Sequence, residues 1–242
     1  MPSSGEVLLW DLSRKGGNSC WSANVWKTRL VLNYKNIPYR TTWLSHPELQ
    51  PTLQGAGVSP NAEGTPYTVP CIQLPNGETV MESLAIATKL ESLHPSPSLH
   101  LDANMHEKAK AVSFQVVRPL FPIFMPIIGR TCIVDDAREY FYASKEAAFG
   151  MSLDEVEKKG GEQSWVAAQG GLQALKALLT ENKVDEGPFI LGSRVNYGDF
   201  VVVAMLEGLR RIERALFDRV VGFDGSIGEV YRACEVWMKH DT

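Results

Sequence analysis

Residues 19–29, Ser-Cys-Trp-Ser-Ala-Asn-Val-Trp-Lys-Thr-Arg, place a thiol, Cys20, two residues ahead of a hydroxyl, Ser22. Both stand before a run with helical spacing, where Val25, Trp26, Arg29, Leu30, Val31 and Leu32 build one apolar face. A hydroxyl at a helix start can accept a backbone N–H and cap the helix, which is worth about 1 kcal/mol. It can instead donate to an anion that the helix N-terminus also stabilises. A serine nucleophile needs a base, and no His/Asp partner is evident that would make Ser22 a hydrolase centre. Ser19 and Asn24 are weaker candidates on the same segment. A second helix-opening pair, Glu82-Ser83, has the features of a carboxylate site, because free N–H groups and the positive end of the helix dipole meet there.

These residues need elements to hold them. Glu6–Leu12 reads as a buried strand, and the helix from Ser22 ends near Asn36 because Pro38 cannot continue it. Tyr39–Ser45 alternates and is rich in β-formers, so strand, helix and strand predict a right-handed parallel βαβ unit. Leu49–Gly64 carries Pro, Gly and Asn and reads as irregular. Tyr67–Leu74 and Thr79–Met81 are strand-like, and Asn76-Gly77 between them is a strong hairpin turn signal. The N-terminal order is therefore β-α-β, an irregular stretch, then β-β-α.

The Pro/Ser-rich stretch His94–Asp102 marks a boundary, giving one domain over residues 1–94, a linker over 95–102 and a second domain over 103–242. The second domain reads as all-helical. Its first helix runs to Pro119, and Pro119, Pro122 and Pro126 are expected to break or kink the apolar run in which they lie. Residues 135–150 form a helix ending at Gly150, Ser152 and Glu155 have capping-box spacing, and residues 162–182 form a long amphipathic helix. A helix opened by Asn196 is apolar almost all round, which predicts a central buried position. Residues 226–240 close the chain.

The 242-residue chain is long enough for a real core. Its net charge of −4 and lack of a sustained basic run argue against nucleic acid or an anionic membrane as partner. No apolar stretch of about 18 residues is read as a membrane span, and no signal peptide is read at the start. The four cysteines form no CxxC pair and are expected to be free, mostly buried thiols in a reducing compartment. The five histidines form no ligand-spaced cluster, so no metal is expected.

Thr68-Val-Pro70, the helix opening Glu82–Ile86 and the segment Ile190–Ala204, with Asp199 three residues after Asn196, together resemble the cytosolic glutathione transferase superfamily in order and spacing. Residues 21–43 and 139–157 are similar to the fungal, β-etherase-like (Fua-class) transferases. The resemblance implies a thioredoxin-like βαβ-ββα domain followed by an all-helical domain. It implies glutathione as co-substrate, no metal, a cytoplasmic location and a homodimer. It implies a cis Pro70 that turns the Val69 backbone toward the cysteinyl part of glutathione, in the manner of an added strand. Ser83 would hold the γ-glutamyl carboxylate, and Glu82 would face its amino group.

In serine-type members a helix-opening serine stabilises the glutathione thiolate, which is the attacking species. Residues 22–29 match that pattern with Ser22 at the head. Cys20 is the runner-up and would imply thiol transfer through a mixed disulfide. Where many relatives carry Lys or Gln before the Val-Pro, this chain has Tyr67 and Thr68, and His46 or Gln54 is a candidate substitute for gripping the glycine carboxylate. The apolar, proline-broken segment after Val117 offers Arg118, Phe121, Phe124, Met125 and Ile127 as walls of a second-substrate pocket. Tyr140, Phe141, Tyr142 and Arg130 are further candidates there. The expected activity is attack of glutathione on a hydrophobic, aromatic or polyketide-like electrophile, by conjugation, ether cleavage or isomerisation. The alternative is a ligandin-like, non-catalytic carrier of hydrophobic metabolites.

Overall fold

In the computed structural model, residues 5–241 are described; residues 1–4, which include part of the segment read for a signal peptide, and Thr242 lie outside the described residues. β1 (Val7–Leu12) is an inner strand, buried along nearly its whole length. It pairs in parallel with β2 (Tyr39–Leu44), and Leu9 stands opposite Thr41. On its other side it runs antiparallel to β3 (Cys71–Gln73), and Leu9 there faces Ile72. β3 and β4 (Thr79–Met81) form the hairpin, so the sheet order is β2-β1-β3-β4. Gly77 takes a positive φ of 88° at the turn, which a residue with a Cβ adopts only at a cost.

α1 (Ala23–Tyr34) links β1 to β2, and α3 (Ser83–Leu93) follows the hairpin. Two expectations change here. Residues His46–Gly55 form a helix, α2, where the reading from Leu49 onward was irregular. The Ser45–Glu48 capping box nucleates it, with Glu48 Oε2 accepting from the Ser45 N–H at 2.7 Å. Pro47 lies in its first turn, where the missing N–H is of no consequence, and Pro51 removes a single interior bond. The third strand is also shorter than Tyr67–Leu74, because Pro70 offers no N–H to a ladder.

The helical domain comprises α4 (Met105–Val117), α5 (Phe121–Thr131), α6 (Arg138–Phe149), α7 (Leu153–Lys158), α8 (Glu162–Thr180), α9 (Tyr197–Ile212), α10 (Arg214–Val221) and α11 (Gly225–Cys234). Of the three prolines expected to interrupt the apolar segment, only Pro119 stands between helices, in the tight turn Arg118–Leu120. Pro122 sits in the first turn of α5, and Pro126 lies within a helix that continues to Thr131. The run Met105–Thr131 is long and apolar enough to cross a membrane by length and composition, with mean hydropathy 1.6 over its most apolar window, contrary to the sequence reading. In the fold α4 packs on α8 and α9, and α5 on α7 and α9, as part of the helical domain.

α9 is buried from Tyr197 to Leu209. Its head is fixed by Asp199, whose carboxylate accepts from the backbone N–H of Ile190 at 2.7 Å and of Asn196 at 2.8 Å, and from the Asn196 amide at 2.7 Å. Burial nonetheless raises its pKa to about 7. α1 lies directly on α9. A Cβ at Gly208 would stand 2.9 Å from that of Ala23, so the glycine permits the approach.

Candidate active site

Ser22 is the N-cap residue of α1, with extended backbone (φ −78°, ψ 118°) and a carbonyl that accepts from Trp26 N–H at 3.0 Å. Its hydroxyl makes no cap hydrogen bond. It is half-buried on the wall of a cleft of about 340 Å³ enclosed by α1, α4, α5 and α9. Trp21, Ala23, Asn24 and Lys27 extend the wall from Ser22. α4 adds Lys110, Ser113, Phe114 and Val117, while α5 adds Phe124 and Ile128. α9 contributes Val201, Met205, Gly208, Leu209 and Ile212. The wall is mostly apolar, its charged side chains are the two lysines, and it carries no carboxylate.

Cys20 is placed differently. It is fully buried, off the cleft, with Sγ 3.7 Å from the Ser22 carbonyl oxygen. Beneath it lies an ion pair between Arg29 Nη2 and Asp11 Oδ2 at 3.0 Å, both side chains 0% exposed. Arg29 also donates to Thr41 Oγ1 and to the Tyr39 hydroxyl, at 3.0 and 3.3 Å. Burial, and then the Asp11 charge, push the Cys20 thiol well above its usual pKa, so it is held neutral. A neutral buried thiol is a poor nucleophile.

The second cluster forms where β3 meets α3. The Val69–Pro70 bond is cis, and the Pro70 carbonyl accepts from Glu82 N–H at 3.2 Å. Glu82 has φ 79°, ψ 128°, in the positive-φ region that favours glycine. Its carboxylate accepts from Thr68 Oγ1 at 2.9 Å and from Asn61 Nδ2 at 3.4 Å. Such strain is held only where the surroundings over-determine it, and it concentrates at functional sites. The Glu82–Pro70 hydrogen bond thus holds Val69, Pro70, Glu82 and Ser83 at one edge, at the N-terminus of α3. Lys27 lies within electrostatic reach of Glu82, which connects this edge to the cleft.

Several candidates fall away from the cleft. Phe121 meets Phe124 edge to face at 5.4 Å between ring centroids and also meets Phe114 and Phe149, so it supports the wall without lining it. Arg118 is exposed and lies over the Phe114 ring at 5.8 Å. Met125 is half-buried against the core, rotated away from the face that carries Phe124 and Ile128. Arg130 pairs with Glu157 at 2.7 Å. Tyr140, Phe141 and Tyr142 do not line the cleft either. His46 packs against the rings of Tyr140 and Phe141; burial and then Lys145 lower its pKa to about 4, so at neutral pH it offers no cation to a carboxylate. Gln54 is exposed on α2, and Tyr67 is buried.

The sequence reading missed Asn61, Lys27, Lys110 and Ser113. Asn61 sat in a stretch read as irregular, and the other three looked like ordinary positions on amphipathic helices. Among the described residues, no group of three His, Cys, Asp or Glu side chains is placed to hold a metal ion.

Comparison with known proteins agrees in both halves. The N-terminal domain of glutathione S-transferase matches residues 21–93, and its C-terminal domain matches residues 106–237. A curated glutathione S-transferase-like protein, ustS of Aspergillus flavus, is 28% identical over 93% of this chain and 87% of its own. The crystal structure of the transferase GSTFuA3 from Phanerochaete chrysosporium superposes with a TM-score of 0.87 at 27% identity, over 99% of this chain and 100% of that one. A Ceriporiopsis subvermispora glutathione S-transferase, solved in complex with glutathione, gives 0.84 at 26% identity over 96% and 97%. With a thioredoxin-like domain carrying the strained edge and a helical domain closing the cleft, the chain belongs to the glutathione S-transferase family.

Proposed function

We propose that the protein activates the thiol of glutathione with Ser22 and directs it at a hydrophobic, aromatic or polyketide-like electrophile held in the cleft. The observation that carries this is the Ser22 hydroxyl, which has no cap partner at the head of α1 and borders an apolar cleft, while Cys20 is buried beside it. Glutathione would lie along the Val69 backbone, its γ-glutamyl carboxylate at Ser83 and the α3 N-terminus, its ammonium toward Glu82. Thr68 and Asn61 orient Glu82 for that contact. The Ser22 hydroxyl donates to the sulfur as the thiol proton leaves, and the α1 N-terminus adds to the same stabilisation. In conjugation the sulfur bonds to the electrophilic carbon and the leaving group departs with its electron pair. Ether cleavage expels an aryloxide in the same way, and isomerisation adds the thiolate and then releases it.

The same reading makes residues 1–94 the glutathione domain, 95–102 the linker and 103–242 the domain that shapes the second-substrate cleft. It places the protein in the cytoplasm as a homodimer acting in detoxification or secondary metabolism. A second reading, a carrier of hydrophobic metabolites, is favoured by the mostly apolar wall and by Tyr67 and Thr68 before Val69-Pro70. A thermal melt separates the two. At one hundred times its Kd, glutathione stabilises the fold by about 2.7 kcal/mol, or roughly 5 to 10 °C for a chain of this size. The shift should vanish in Ser83→Ala. No shift in the wild-type protein, together with stabilisation by apolar ligands alone, selects the carrier.

A further inference from the structure

The cleft beside Ser22 combines an apolar wall with one sign of charge. Its ionisable side chains are Lys27 from α1, half-buried, and Lys110 from α4, exposed at the rim and close enough to act on the Lys27 charge. Neither ammonium has an ion-pair partner among the described residues, although the protein's acidic side chains engage cations at many other places. Lys27 donates to Asn24 Oδ1 at 2.9 Å, a neutral acceptor. Its ammonium is disfavoured first by burial and then by Lys110 and is favoured in part by Glu82, and an anion between the two lysines would add to that relief. Two wall residues, Trp21 and Ser113, also carry a side-chain polar atom, Nε1 and Oγ, that is shielded from the cleft surface and has no hydrogen-bond partner. A buried donor left unpaired is costly. The α1 N-terminus adds its positive end to the same space.

From this arrangement we infer that the second ligand of the cleft is an aromatic acid, its ring against Phe124 and Met205 and its anionic group held by Lys27 and Lys110. The inference rests on the proposed function only in assigning glutathione to the other edge. Val69, Pro70, Glu82 and Ser83 do not line the cleft, although Glu82 is near enough to Lys27 to favour its charge, and the glutathione arm of the test decides which ligand the lysines serve. An acid group also sets direction: anchored by α1 and α4, it turns the ring's reactive position toward Ser22 at the head of α1.

The test is equilibrium binding of two matched fluorescent dyes, anilinonaphthalene sulfonate and its neutral parent phenylnaphthylamine, with and without glutathione. Charge-assisted contacts are worth enough that Lys27→Met/Lys110→Met should weaken the sulfonate by about tenfold or more. The neutral dye reports whether the cleft is still formed, so the quantity read is the change in the ratio of the two affinities. Lys27→Arg/Lys110→Arg should keep most of the ratio, and added salt should lower it in the wild-type protein. The inference is overturned if the ratio is unchanged in the Met variant, or if the variant loses affinity for glutathione and not for the sulfonate. The second result would move the lysines to the peptide's own carboxylates. A selective sulfonate site in a protein that turns over no electrophile with glutathione would refute the transferase reading and leave the acid site standing.

Discussion

Replacing Ser22 by alanine separates a cap from a thiolate stabiliser, because the structure assigns the hydroxyl no cap bond to lose. A stabilising role predicts the loss of one hydrogen bond to a charged sulfur, about 1.5–3 kcal/mol. At about 1.4 kcal/mol per tenfold change, the pKa of the bound thiol rises by about one to two. Below that pKa the thiolate fraction falls by about ten- to a hundredfold. The more basic thiolate is also more nucleophilic, with a Brønsted coefficient of about 0.4–0.5, which returns part of the loss. The net expectation is a fall in kcat of roughly three- to tenfold at neutral pH and below, shrinking toward alkaline pH. The limb of the pH–rate profile moves up by the same one to two, and the ultraviolet absorbance of bound glutathione thiolate moves with it. Folding stability should change by less than about 0.5 kcal/mol, as for substitutions that break no bond. Cys20→Ala is the complementary variant: it should cost about 1 kcal/mol from the void in a packed core, with turnover per folded molecule unchanged. An unshifted pH profile in Ser22→Ala, or lost turnover in folded Cys20→Ala, would refute the assignment.

Arg29→Met leaves Asp11 buried and unpaired and should cost about 3–5 kcal/mol in denaturant unfolding, with part regained in Asp11→Leu/Arg29→Met. No recovery in the double variant would argue that the stranded Asp11 charge is not the cause of the loss. Gly208→Ala puts a Cβ 2.9 Å from that of Ala23, so it should destabilise by about 1–3 kcal/mol and also lower kcat, because Ala23 follows Ser22. Lost stability with unchanged kcat would sever that coupling. His46 has its pKa lowered from 6.5 to about 4, first by burial and then by Lys145, so the unfolded chain takes up a proton that the fold refuses. Its contribution is therefore complete above pH 6.5 and is lost as pH falls toward 4, by at most about 3 kcal/mol. The melting temperature of wild type should fall relative to that of His46→Phe as pH drops through that range, and parallel curves would contradict the shift.

What could be read from the sequence is what local backbone chemistry decides. Asn76-Gly77 needs only its own φ angles to turn the hairpin, and Asn196 with Asp199 needs only three residues' spacing to open α9. The helix start at Glu82-Ser83 was legible for the same reason, whereas the cis Val69–Pro70 bond came from the resemblance. Even α2 was within reach, since Ser45 and Glu48 form the same kind of box, but the Pro, Gly and Asn content of Leu49–Gly64 read as irregular. The cleft obeys a different rule. Phe121, Phe124 and Met125 have equal claims as sequence, and only the rotation of α5 against α9 turns Phe124 and Ile128 inward. Cys20 and Ser22 likewise differ by tertiary burial, because the Asp11–Arg29 pair that surrounds the thiol is assembled from β1 and α1. Lys27 and Lys110 each look like a solvated helix position until α1 and α4 are brought together on α9. Chemistry that depends on one backbone turn is thus local and legible, whereas chemistry that depends on where helices cross is decided by packing. Variants on the crossing faces of α4, α5 and α9 should therefore change electrophile choice first, while variants at the β3–α3 edge should change glutathione affinity first.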